Sequence, residues 1–94
     1  MTIVTKDYIK QVLDRHRQEL KALESSNLSR ELALLTGFRF GWQLANAELR
    51  KHCPLTRKKL EDFQIICQKK PTGNDINSWL YIGSEYGMLF RYQS

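Results

Sequence analysis

The chain has 94 residues, with fifteen Lys and Arg against ten Asp and Glu and a net charge of +5, a length that fits one small domain spanning residues 1–94. At 41% hydrophobic and 27% charged it is too apolar for intrinsic disorder and too polar for a membrane protein. No run reaches the roughly 18 apolar residues that a membrane span needs, and residues 1–10 lack the apolar stretch of a signal peptide. These features predict a cytoplasmic address and no membrane partner.

From Thr5 to Glu24, apolar positions fall at Ile9, Leu13, His16, Leu20 and Leu23, with Tyr8 and Val12 beside them. Spacings of three and four predict one helix. Thr5 suits its N-cap, and Asp7 puts negative charge in the first turn, where the helix dipole favours it. Lys10, Asp14, Arg17, Lys21 and Glu24 form the opposite, solvated side. Ser25, Ser26 and Asn27 then supply a break, and any of them can cap the next helix.

A second helix is expected over about 28–52. Leu28, Leu32, Leu35, Phe38, Trp42, Ala45 and Leu49 make its stripe, widened by Leu34, Phe40 and Leu44. Gly37, Gly41 and Ala45 recur at intervals of four, aligning small residues on one face. Each Gly costs roughly 1 kcal/mol relative to Ala inside a helix, so the pair points to close packing of another backbone or to self-association as a homodimer. The bland alternative is a kink or break at Thr36 and Gly37. Arg39, Gln43, Asn46 and Glu48 exclude a transmembrane dimer motif.

Pro54 ends this helix. Thr56 is the expected N-cap of a third, with Leu55 and Leu60 placed for a hydrophobic staple and Leu60, Phe63, Ile66 and Cys67 as its apolar face. Pro71, Thr72, Gly73, Asn74 and Asp75 read as a turn. Two short apolar runs follow, Trp79 to Ile82 and Met88 to Tyr92, separated by a stretch bounded by Gly83 and Gly87. They predict an antiparallel hairpin. The rival reading caps a fourth short helix at Asn74 or Asp75, with Ile76, Trp79, Leu80 and Gly83 on its face. The expected fold is therefore mainly α (α+β): a three-helix core with a C-terminal β-hairpin or a fourth short helix.

The charge is concentrated. Residues 50–59 carry five cations, Arg50, Lys51, Arg57, Lys58 and Lys59, and no acid, while the rest of the chain balances ten basic against ten acidic groups. Arg50 and Lys51 close a helix, where positive charge offsets the dipole. Arg57, Lys58 and Lys59 open one, where it is unfavourable, so a phosphate or carboxylate cluster would relieve them. Glu61 and Asp62 offer local screening instead. With nucleic acid as partner, the expected geometry is a helix–turn–helix around Pro54 with the hairpin as a wing. Beyond the cluster the third helix offers only Gln64 and Gln68 to read bases, so phosphate contact without base specificity fits better.

Other chemistry is thinly supplied. His16, His52, Cys53 and Cys67 contain no CxxC or HxxxH pair, so no metal or cofactor is expected. Two cysteines are too few for a disulfide framework, and both are expected as reduced thiols. His52 beside Cys53 or Cys67 lacks a third member and an oxyanion donor, and there is no phosphate loop or nucleophile elbow. A Gly41–Trp42 pair in an amphipathic helix without enzyme motifs resembles, in composition alone, small accessory proteins of phages and mobile elements. The sequence points to a small non-enzymatic interaction or regulatory protein that binds another protein, with a nucleic-acid-binding regulator as the alternative.

Overall fold

Residues 4–24, 28–69 and 76–94 are described by the computed structural model. The expected caps at Ser25, Ser26 and Asn27, the turn over 71–75 and the cap at Asn74 or Asp75 lie outside the described residues. Five helices follow one another: α1 (Lys6–Arg15), α2 (Arg17–Ala22), α3 (Arg30–Leu49), α4 (Arg57–Lys69) and α5 (Ile76–Tyr92). No strand occurs among the described residues.

The first helix begins as its sequence dictates: the Tyr8 amide donates to Thr5 Oγ1 at 3.2 Å, and Asp7 lies in the first turn. The single helix expected over Thr5 to Glu24 is divided at His16, whose φ of −108° and ψ of 22° leave helical geometry for one residue. Helical bonding resumes at once, with the Leu20 amide donating to the His16 carbonyl at 3.0 Å. α3 starts at Ser29, whose hydroxyl accepts from the Leu32 amide at 3.2 Å. It passes Thr36 and Gly37 without a break.

The C-terminal β-hairpin is not present. Residues 76–92 form one helix of seventeen residues, longer than the short fourth helix of the rival reading. Leu80, Gly83, Ser84, Gly87, Met88 and Arg91 recur at intervals of three and four, and all are buried. Gly83 and Gly87 look like turn formers in the sequence, but neither has a positive φ. They serve as gaps in a helix surface. Ser84 is fully buried, and its hydroxyl is satisfied by the Leu80 carbonyl of the preceding turn at 2.8 Å.

Those gaps meet gaps in α3. A Cβ on Gly41 would come within 2.8 Å of the Ser84 carbonyl carbon, and one on Gly37 within 3.0 Å of the Leu80 carbonyl carbon. In return, a Cβ on Gly83 would lie 2.9 Å from the Phe38 amide nitrogen, and one on Gly87 2.9 Å from that of Trp42. Real Cβ contacts are never this short, so the two backbones touch directly. The face of α3 that turns inward is therefore the small-residue face with Leu34, Phe38 and Ala45. Leu32 and Leu49, expected on the core stripe, remain about half exposed.

The α3–α5 pair is covered from two sides. On one, Ile9, Val12 and Leu13 of α1 pack with Leu44, Ala45 and Met88, while Leu20 of α2 joins Ala33 and Leu80. On the other, α4 contributes Phe63, which is fully buried. Its ring stacks on Phe38 at 4.4 Å between centroids and lies 5.6 Å from the Tyr86 ring. Phe90 stands edge-on to Phe38 at 5.2 Å. α4 is thus held by rings, which favour such stacked and edge-on contacts.

Candidate interaction surface

All five expected cations belong to the α3–α4 corner. Residues 50–56 connect the helices, and Arg57 opens α4. Arg50, Lys51, Arg57 and Lys58 are exposed, and Lys59 is half-buried. Thr56 caps α4 through its hydroxyl, which accepts from the Lys59 amide at 3.3 Å. Leu55 and Leu60 flank that cap and pack on the ring cluster. Among the described residues, Arg57 is the cation of this corner that has an ion pair, with Glu61 at 3.4 Å. At 92% side-chain exposure such a pair contributes little, about 0.3–0.5 kcal/mol.

Arg50 has an unusual backbone. Its φ of 53° and ψ of 35° place it in the left-handed region, the one non-glycine residue with positive φ among those described. The turn closes α3: the Arg50 amide donates to the Ala47 carbonyl and the Lys51 amide to that of Asn46, both at 3.2 Å. Helices commonly end this way, but with glycine, because a Cβ there costs roughly 1–2 kcal/mol.

The connection is then pinned by side chains that sequence reasoning missed. Asn46 pairs with Cys53 in both directions: its Nδ2 donates to the Cys53 carbonyl at 3.2 Å, and its Oδ1 accepts from the Cys53 amide at 3.3 Å. Trp42 Nε1 donates to that carbonyl as well, at 2.6 Å. Arg91, 5% exposed in the last turn of α5, donates through Nη2 to the Lys51 carbonyl at 2.9 Å and through Nε to Asn46 Oδ1. A buried charge requires such partners, and the negative end of the α5 dipole supports it further. The bonded residues lie 40 and 45 positions apart, so no local pattern announces them.

Two shallow grooves follow the α3–α4 seam. One, beside the corner, lies between Arg39, Gln43 and His52 over Trp42, Leu55 and Leu60. The other, at the far end, has Leu34, Leu35 and Phe63 along its floor and Arg30 and Glu31 at its edge.

The remaining expected sites are placed as follows. Gly37 and Gly41 lie against the α5 backbone, and Ala45 is buried between α1 and α5. The apolar stripe of α1 packs its Ile9 and Leu13 into the same core. Both cysteines are free and half-buried. Burial pushes the Cys67 thiol up, with the Arg30 guanidinium pulling the other way, a setting unlike that of a reactive thiolate. Among the described residues, no group of three His, Cys, Asp or Glu could hold a metal ion, and no helix is long and apolar enough to cross a membrane.

Comparison with family models, with curated proteins and with solved structures gives no match.

Proposed function

We propose that this chain is a non-enzymatic interaction protein that binds an acidic surface of a partner protein through Arg50, Lys51, Arg57, Lys58 and Lys59. Arg50 carries the reading. It occupies a left-handed position that glycine would take without penalty, so the chain bears backbone strain where it presents a cation. Strain of this kind concentrates at functional sites. Arg50 stands on a connection whose carbonyls at Lys51 and Cys53 are fixed from α3 and α5, which lowers the ordering cost of binding.

The surroundings favour a protein over nucleic acid. Seven residues join α3 and α4, against the turn of about three or four in a helix–turn–helix, and no hairpin stands among the described residues as a wing.

Affinity capture from the native host, with wild type compared against the Lys58→Glu, Lys59→Glu double variant, tests the reading. It expects an acidic protein retained by wild type and lost by the variant. Arg50→Gly should weaken that capture while raising stability by about 1 kcal/mol, a separation that chemical denaturation checks. No captured partner, or equal capture by Arg50→Gly, contradicts the proposal. DNA or RNA binding whose log–log salt slope is several units would replace the acidic protein with a phosphate backbone.

A further inference from the structure

We propose that Arg91 is the positioning residue of the basic corner, setting from α5 the spacing of cations that a partner meets without itself touching the partner; this rests on the binding reading above. Arg91 is buried, and its guanidinium is directed at the connection: Nη2 donates to the Lys51 carbonyl at 2.9 Å, and Nε donates to Asn46 Oδ1. Asn46 in turn holds both the amide and the carbonyl of Cys53, and Trp42 shares that carbonyl. One guanidinium therefore fixes, directly or through one amide, the stretch that carries Arg50 and Lys51 and leads into the first turn of α4.

The anchor behind it is stiff. Arg91 stands one turn beyond Gly87 and Met88 on the helix whose backbone lies directly on α3. α4, by contrast, reaches that pair through ring contacts, aliphatic packing and the bond from Arg30 Nη2 to the Cys67 carbonyl at 3.4 Å. The geometry requires a fork of donors: a lysine ammonium is a compact point charge, whereas the planar guanidinium spans two acceptors at once. Arg91→Lys thus keeps the charge and gives up the two-point attachment.

The test uses the full chain as wild type, Arg91→Lys, Arg91→Met and the corner control Lys58→Glu. Amide and indole hydrogen exchange are measured in the free protein, and affinity for a poly-glutamate peptide at low salt serves as the binding probe. The expected result for Arg91→Lys is exchange about tenfold faster or more at the Cys53 amide and the Trp42 indole, the loss of one hydrogen bond to a charged group. Phe38 and Ser84 amides should be unchanged, and peptide affinity should fall although no charge has been removed. Arg91→Met should do the same, which keeps the test decisive should the buried lysine disturb folding.

Unchanged Cys53 and Trp42 exchange in both variants overturns the proposal. So does a loss of protection that extends equally to Phe38 and Ser84, which would make Arg91 a general support, or loosened exchange with full peptide affinity. Equal binding by wild type and Lys58→Glu overturns the function reading itself, and the exchange result separates that failure from a failure of Arg91.

Discussion

α3 meets α5 and α4 through opposite kinds of contact. Toward α5 it presents an absence of side chains, with Gly37 and Gly41 facing Leu80 and Ser84 while Gly83 and Gly87 face Phe38 and Trp42. Toward α4 it presents rings, with Phe38 stacked on Phe63 and Trp42 hydrogen bonded to the connection. A backbone-to-backbone seam has no soft atom to displace, whereas a ring cluster can rearrange about its contacts. The basic corner belongs to the second region but is tied by Arg91 to the first.

Substitution should separate the two. Gly41→Leu should have the largest effect, about 4–5 kcal/mol in urea unfolding and enough to abolish a cooperative transition in a chain this small. The added side chain would enter the Ser84 backbone, so only parting α3 from α5 admits it. A near-normal urea midpoint would break the comparison. Phe63→Ala should follow at about 3 kcal/mol. Its loss should concentrate in α4 amide protection and leave α1, α3 and α5 helical by circular dichroism. Thr56→Ala removes the cap of α4 and should cost about 1 kcal/mol, with faster exchange confined to the first turn of that helix.

The smallest effect is electrostatic and belongs to the α1–α5 contact. Burial raises the Glu85 carboxyl above its usual range, with Lys6 and Lys10 opposing the shift. A raised folded pKa means that the native state holds the proton more tightly. Its contribution is thus fully present below the ordinary carboxylate pKa and is lost as pH rises through the folded value. Glu85→Gln should remove that decline, visible as a flatter plot of unfolding midpoint against pH between acid and neutral solution.

The legible and illegible parts of the fold divide along the same line. The amphipathic period of α1, the Thr5 and Thr56 caps and the apolar face around Phe63 depend on neighbours three or four residues apart, and they stand in the sequence. The interval of four between Gly37 and Gly41 stands there too, but what lies against it does not. For residues 76–92 the helix reading holds and the hairpin does not, the hairpin having arisen because Gly83 and Gly87 punctuate short apolar runs as turn glycines do. Their own interval of four, matching that of α3, was the available signal for a second small-residue face. Placing Leu32 and Leu49 on the core stripe failed for the same reason, since residue hydrophobicity undervalues a face made of glycine and alanine. At the corner, the clustering of cations was plain. The left-handed Arg50 was not, because the position is usually marked by a glycine that this sequence lacks, and the buried Arg91 was not, because its partners, a carbonyl and an amide, are brought to it by tertiary structure.

Native-state hydrogen exchange across a range of subdenaturing urea tests the difference between the two regions most directly. The account predicts that Phe38, Gly41 and Ser84 amides exchange only through global unfolding, with full urea dependence. Amides of α4 around Phe63 should exchange through a smaller opening of lower free energy and weaker urea dependence. A single common free energy for the amides of α3, α4 and α5 would contradict it.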